Sequence, residues 1–238
     1  MDDLDAAPAY KVYVFLDAFR VTEAQKQAVE RLYSRGARAM VWVYTPGLVG
    51  AALDGKESYA LTGIKLKLLF DTSPLQVDID PAGVQALPGL TRGWRYGTEN
   101  KIGPVMVGDD PAATVLGTLF GYGEPGLVVK RVKGVQTYFS SAPKLPDWLL
   151  RSIAVKAGVH IYNPQDDVLY VNKSFLGIHT TRPGRRVLQF PAPVDLFDLR
   201  AGKSIAKRVT TIALDLPVRY SGLYFFGSEQ DWNDLGKR

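Results

Sequence analysis

Histidine is scarce in this chain: His160 and His179 are the only two, and they flank Asp166 and Asp167. Any Ser-His-Asp relay or histidine-assisted metal site must use one of them, because general-base work near neutral pH falls first to imidazole. Neither lies in an HxH or HExxH spacing, which would aim two imidazoles at one ion. Both therefore keep a structural reading beside the catalytic one. A second place for chemistry is Val41 to Gly50, VWVYTPGLVG, an apolar strand running into a glycine turn as in a nucleophile elbow. The elbow's serine or cysteine is missing, and Tyr44 and Thr45 hold the strand end. A tyrosine nucleophile needs a base to lower its pKa, and a threonine needs a neighbouring histidine, lysine or terminal amine. No residue adjacent in sequence supplies one. Ligands nonetheless gather at the carboxyl ends of strands in open α/β sheets, so Asp17, Tyr44 and Thr45 are expected to share a crevice.

Carboxylates recur in pairs, at Asp78 and Asp80, Asp109 and Asp110, and Asp166 and Asp167. Such clusters suit a divalent cation, calcium above all, and Asp166 and Asp167 are the candidate ligands. None of the pairs has the glycine and terminal glutamate of a calcium loop, and turn-forming aspartate is the competing explanation. A glycosidase pair would depend on a carboxylate separation that sequence does not give. Trp94, Tyr96, Trp148 and Trp232 could stack on sugar rings, and Trp94, with Arg92 and Arg95 in an aperiodic stretch, is the best exposed candidate; partial core burial is the alternative. The absence of cysteine removes disulfides, zinc-thiolate sites and thiol nucleophiles together. Net charge is +5 and spread over both halves, and Lys130-Arg131 and Arg185-Arg186 are short, which argues against nucleic-acid partners. No apolar run reaches the roughly 18 residues of a membrane span. The acidic start, MDDLDAAPAYK, lacks the order of a secretory signal, so a cytoplasmic location is the default and export would require a signal upstream.

The elements that must position these residues follow from periodicity. Tyr10 to Leu16 reads as a strand, followed by a helix capped by Thr22 and Gln25, with Ala28, Val29, Leu32 and Tyr33 on its apolar face and Gly36 ending it. Ala37 to Tyr44 completes a βαβ unit. ESYALTG reads as a short helix, then Ile64 to Phe70, Leu75 to Ile79, Val105 to Val107, Ala113 to Phe120, Gly126 to Arg131 and Gly134 to Ser140 as strands. Thr91 to Lys101 is expected to be a long surface loop, and GYGEPG a hairpin-like turn rather than a phosphate loop. LPDWLLRSIAVKAG is a helix burying Leu149, Leu150, Ile153, Ala154 and Ala157. Beyond Gly158 short strands take over: Val168 to Val171, Phe175 to His179, Arg186 to Phe190, Val194 to Asp198, Val209 to Asp215 and Gly222 to Phe226. Their spacing is that of a β-sandwich. The expected domains are 1–158, α/β, and 159–238, all-β.

Several stretches also carry a family resemblance. YKVYVFLDAF, the helix after it, GARAMVWVYTPGLV with Gly36, Tyr44 and Gly47, and Leu61 to Ile64 in LTGIKLK resemble the amidotransferase-like domain that follows the catalytic barrel of β-galactosidase-type glycoside hydrolases. That domain is often called the trimerisation domain. PKLPDWLLRSIAVKAGVHIY is similar to its closing helix, and FLGIHTTRPGRRVLQFPAPVDLFDLRAGKSIA, with His179 and Asp198 to Gly202, to the small C-terminal sandwich of the same enzymes. The resemblance implies a parallel-sheet domain of flavodoxin or class I glutamine amidotransferase type followed by an antiparallel β-sandwich. It also makes His160 and His179 structural positions at the domain junction. It implies a non-barrel module that serves assembly or completes a carbohydrate site, with itself or other glycoside-hydrolase domains as partners. A stand-alone hydrolase of an ester, lactone or glycoside, aided by a divalent ion such as calcium, is the competing expectation. A lone carbohydrate-binding module resting on Trp94 is the third.

Overall fold

The computed structural model describes residues 1–49 and 56–235; Gly50, the last residue of the elbow-like stretch, lies outside them. The chain divides into two units, Met1–Val159 and His160–Arg238. No helix of the described residues is long and apolar enough to cross a membrane.

In chain order the first unit contains β1 (Val12–Leu16), α1 (Glu23–Leu32), β2 (Ala39–Val43), α2 (Lys56–Thr62), β3 (Leu66–Leu69), β4 (Ser73–Ile79) and α3 (Pro81–Ala86). It continues with β5 (Arg95–Ile102), β6 (Val105–Gly108), β7 (Thr114–Leu119), β8 (Pro125–Val132), β9 (Val135–Ser140) and α4 (Asp147–Lys156). The second holds β10 (Val168–Val171), β11 (Phe175–His179), β12 (Gly184–Asp198), β13 (Lys203–Leu216), β14 (Ser221–Gly227) and α5 (Glu229–Leu235).

Helix α1 starts where its cap dictates: the Gln25 amide donates to Thr22 Oγ1 at 3.3 Å, and the Thr22 amide donates to Gln25 Oε1 at 2.9 Å. Two orphan amides at the helix start are thereby satisfied. Ala28, Val29 and Leu32 are buried, and β2 is buried along its whole length. Because side chains alternate along a strand, β2 feeds both faces of its sheet. Ala39, Val41 and Val43 join the core that contains Leu149 and Ile153 of α4. Met40 and Trp42 join the core that contains Val29 and Leu32 of α1. Trp42 stacks on Phe15 of β1 with centroids 4.1 Å apart.

The main sheet has seven strands in the order β1-β2-β9-β8-β7-β4-β5. The parallel pairing expected from the βαβ pattern is present between β1 and β2 and between β2 and β9. It stops there, since β9-β8, β8-β7, β7-β4 and β4-β5 are all antiparallel. The wholly parallel sheet of the sequence expectation is thus corrected to a mixed one. The reason is loop length, because a parallel neighbour needs a crossover of a dozen or more residues. β8 and β9 are joined through Lys133 and Gly134 alone, both at positive φ (49° and 86°) as a tight hairpin turn requires. A separate pair, β3 with β6, completes the unit.

The expected loop from Thr91 to Lys101 is also corrected, because from Arg95 it is strand β5, paired with β4. Its irregular pattern reflects a register shift between Pro74 and Gln76 opposite Gly97. Gly97 has φ +123°, and a Cβ there would lie 2.0 Å from the Leu75 carbonyl oxygen, so the strand cannot show simple alternation. Helix α3 begins with Pro81, which is tolerated at a first helical position, and has too short a period to announce itself.

The second unit is one five-stranded antiparallel sheet, β10-β11-β14-β12-β13. The two strands expected at Arg186 to Phe190 and Val194 to Asp198 are halves of β12, with register shifts against β13 between Gln189 and Val194 and again before Phe197. Leu188 and Phe190 from one half and Leu196 from the other bury in the same core as Leu176, Ile178, Tyr224 and Phe226. Bulges bend a strand enough to let both halves do so.

Candidate functional site

The carboxyl ends of β1, β2 and β9 lie side by side in the first unit. The chain leaves β1 at Asp17 (φ 50°) and β2 at Tyr44 (φ 71°), two non-glycine residues in the left-handed region. Such conformations cost of order 1 kcal/mol or more each and are held by the surroundings. Here the Tyr44 amide donates to the Ser140 carbonyl at 2.8 Å, the Gly47 amide to Ala18 and the Val49 amide to Phe19. Ser58 Oγ donates to the Pro46 carbonyl at 2.6 Å and ties the turn to α2. Gly47 is required, since a Cβ there would meet the Glu57 backbone at 2.9 Å and φ is +67°.

Burial raises the Tyr44 phenol above its ordinary pKa, and the Asp17 carboxylate adds to the rise. The Asp17 carboxylate is thus within electrostatic reach of Tyr44, and its charge, like burial, keeps the phenol neutral. The first unit contains no histidine to act as its base. Tyr44 packs edge-to-face on Phe19 at 5.8 Å. Behind it Thr45 and Ser141 are fully buried, and Thr45 Oγ1 and Ser141 Oγ have no hydrogen-bond partner among the described residues.

The same strand ends reach the aromatic candidates. Tyr96 Oη and Ser140 Oγ are 2.8 Å apart, and Ser140 Oγ donates to the Ala142 carbonyl at 2.8 Å. Tyr96 is buried, and burial drives its phenol pKa far up, against a smaller opposing effect of the Ser140 bond. It packs on Trp148, which in turn contacts Trp94 with centroids 5.0 Å apart. Trp94 alone of this group is exposed, at 39%. Arg95 is occupied: its guanidinium makes two hydrogen bonds to Asp78, at 2.6 and 2.9 Å, and lies 3.6 Å over the Phe120 ring. Arg92 is exposed. Two groups of residues separate in the sequence, Asp17-Tyr44-Thr45 and Trp94-Tyr96, are thus joined through Ser140. Sequence reasoning named Trp148 as a stacking candidate but missed Phe19, Ser140 and Ser141; the signal available was SSA following the third parallel strand, and it carries no motif.

The remaining candidates lie in the second unit. His160 Nε2 is 3.0 Å from the Gln189 carbonyl, and its ring meets Tyr162 edge-on at 4.6 Å. His179 Nδ1 is 2.7 Å from Ser221 Oγ, across the β11-β14 pair. This is the nucleophile-base contact of a dyad, between two exposed side chains, with no carboxylate bonded to the imidazole among the described residues. Asp167 serves otherwise than as a metal ligand. Its Oδ2 accepts from Arg186 Nε at 2.5 Å and from Asn163 at 3.0 Å, and its Oδ1 from the second Arg186 nitrogen at 3.0 Å. Burial pushes the Asp167 carboxyl up, and the bonds to Arg186 and Asn163 outweigh this and leave it below the usual carboxylate value. With both oxygens engaged by a fixed guanidinium, a cation would have to displace Arg186. The backbone carbonyl of the neighbouring Asp166 accepts from Thr181 Oγ1 at 3.2 Å. No group of three or more metal-ligating side chains occurs among the described residues.

No protein-family model matches the sequence, and no curated protein matches it either. Solved structures do match in fold. The beta-galactosidase from Bacillus circulans sp. alkalophilus superposes with a TM-score of 0.61 at 18% identity over 91% of this chain. Gan42B, a GH42 beta-galactosidase, gives 0.59 at 16% identity over 92%, and the cold-adapted beta-galactosidase from Rahnella sp. R3 gives 0.57 at 14% over 91%. This chain covers 33%, 32% and 32% of those proteins, so it spans about a third of their length and shares the fold of that third.

Proposed function

We propose that this chain is a glycoside-hydrolase-derived, non-barrel module that serves assembly or completes a carbohydrate site, and that it descends from an amidotransferase-like domain joined to a C-terminal sandwich. What supports the reading is that the likeness to beta-galactosidases runs through nine-tenths of this chain and only a third of theirs. The chemistry of the strand ends agrees with it. An exposed tryptophan backed by buried and partly buried aromatic rings suits stacking on an uncharged polyol, and the neutral phenols and hydroxyls behind it include no activated nucleophile. In this reading Trp94 and Arg92 face the sugar, Tyr96 and Trp148 hold Trp94 in place, and the module associates with itself or with other domains of a glycoside hydrolase. Light scattering on the purified chain, together with a panel of ester, lactone and glycoside substrates, tests it. A stable oligomer with no turnover is expected; turnover that a chelator abolishes would defeat the reading.

A second reading, a small stand-alone hydrolase, is favoured by one observation, the 2.7 Å contact of His179 with Ser221. It requires Ser221→Ala to abolish ester hydrolysis, and activity surviving that change removes it.

A further inference from the structure

At the opposite end of the same strands lies a cavity of about 400 Å³ that nothing above uses. Its wall is laid down by strand register. The Arg38 amide donates to the Lys11 carbonyl at 2.8 Å, the Gln136 amide to the Arg38 carbonyl at 3.0 Å, and Gln136 pairs with Arg131 across the β8-β9 hairpin. Neighbouring strands lie about 4.8 Å apart, so Arg38 and Arg131 flank Gln136 at roughly 10 Å. That separation is within the combined reach of two guanidiniums. Lys156, in the last turn of α4, adds a fourth cation, and no Asp or Glu lines the cavity. Two of these charges already have work: Lys11 Nζ donates to the Gly158 carbonyl at 2.5 Å, and Lys156 offsets the negative end of the α4 dipole. Arg38 and Arg131 are in no ion pair among the described residues.

We propose that this cavity binds a small tetrahedral oxyanion, a phosphate or sulfate, gripped by Arg38 and Arg131 with the Gln136 amide between them. The planar fork of arginine matches such oxygens with paired hydrogen bonds, which a solvated lysine face does not. The concave form and a volume within the roughly 300–1,000 Å³ of small-ligand sites favour a compact ligand over an extended acidic chain. Gly134, in the hairpin turn that lines the cavity, has no atom within 4 Å of where a Cβ would project. The inference stands apart from the proposed function, since it uses the other end of the sheet and no sugar chemistry.

Isothermal titration of the full chain with inorganic phosphate, sulfate and a hexose 6-phosphate, against chloride at equal ionic strength, tests it. Saturable binding of the tetrahedral anions is expected, at least ten-fold weaker in Arg38→Gln/Arg131→Gln and unchanged in Arg185→Gln/Lys203→Gln of the other unit. Tighter binding of the ester identifies an esterified ligand, and equal binding identifies the free ion. Both arginines are exposed, so the double variant should fold, as circular dichroism will check. Gln136→Glu, which places a carboxylate between the guanidiniums, must give the same loss. The proposal is overturned if chloride matches phosphate, if the arginine variant binds as the wild type does, or if polyglutamate binds and phosphate does not.

Discussion

Two places in the molecule bury polar side chains on opposite terms, the pair of Asp167 and Arg186 in the second unit and the strand ends of the first. In the second unit, Asp167 and Arg186 are almost fully enclosed, with side-chain exposures of 1% and 7%, and both carboxylate oxygens are bonded. In the first unit, the hydroxyl oxygens of Thr45 and Ser141 are enclosed with no partner among the described residues. Gln165 Oε1 is a lesser exception on the other side. The difference follows from magnitude. An unpaired buried charge costs several kcal/mol, whereas a neutral hydroxyl costs about 1–3 kcal/mol and can be carried where the backbone is already held by other bonds. The bonded pair is therefore expected to be structural, and the orphan hydroxyls to mark a place the fold alone does not explain.

Breaking the bonded pair should have the largest effect. Asp167→Ala leaves the Arg186 charge enclosed and should destabilise the second unit by about 3–5 kcal/mol in urea unfolding. Replacing both residues with apolar side chains of similar volume should cost far less. A loss under about 1 kcal/mol for Asp167→Ala would place the pair among ordinary surface contacts.

Protonation breaks the same bonds more gently. The folded Asp167 pKa lies below its unfolded value, so the pair's contribution is complete above pH ~4 and is lost as pH falls through the folded value. Asp110, bonded to Lys130 in the first unit, is lowered too, so the urea midpoint of the whole chain will fall with acid for more than one reason. The informative quantity is the difference between wild type and Asp167→Asn, which should shrink below pH 4. Parallel curves would separate acid stability from this pair.

The contrast between units also explains what could be read from sequence. Elements with long periods and paired signals were readable: α1 with its Thr22 and Gln25 cap, β2 as a continuous apolar run, and the parallel β1-β2 pair. Strand β5 was hidden because its shift opposite Gly97 breaks alternation, and β12 divided in two because bulges between Gln189 and Val194 look like a turn. Asp17, Tyr44 and Thr45 could be placed at strand ends from the strand pattern alone. Ser140, which links them to Tyr96, lies 44 residues from it, and no local pattern reports such a contact. Asp167 could be read as an acidic pair member but not as the partner of Arg186, 19 residues on.

Within the first unit the Tyr96-Ser140 bond is the satisfied counterpart of the orphan hydroxyls. Tyr96→Phe removes one buried hydroxyl, and Ser140 Oγ keeps its bond to the Ala142 carbonyl, so no group is stranded. A loss of about 1 kcal/mol is expected, read as a lower thermal midpoint. Because Tyr96 packs edge-on against Trp148, a change in tryptophan emission should accompany it. An unchanged spectrum and midpoint would mean the link from β9 to the Trp94 platform is incidental.

The smallest effect is the most discriminating. Thr45→Val preserves shape and deletes the hydroxyl. If Thr45 Oγ1 has no partner in solution either, the substitution removes a desolvation cost and no hydrogen bond, so stability should stay within about 1 kcal/mol of the wild type or rise. A bonded hydroxyl would instead leave its partner unsatisfied, and the cost would approach that of any broken buried bond. A loss above about 2 kcal/mol would therefore show that Thr45 is as fully satisfied as the Asp167 network. In that event Ser141 Oγ would be the hydroxyl there still without a partner among the described residues. A neutral result would leave the hydroxyl with no structural purpose, and the ends of β1, β2 and β9 would remain a part of the first unit whose composition stability does not explain.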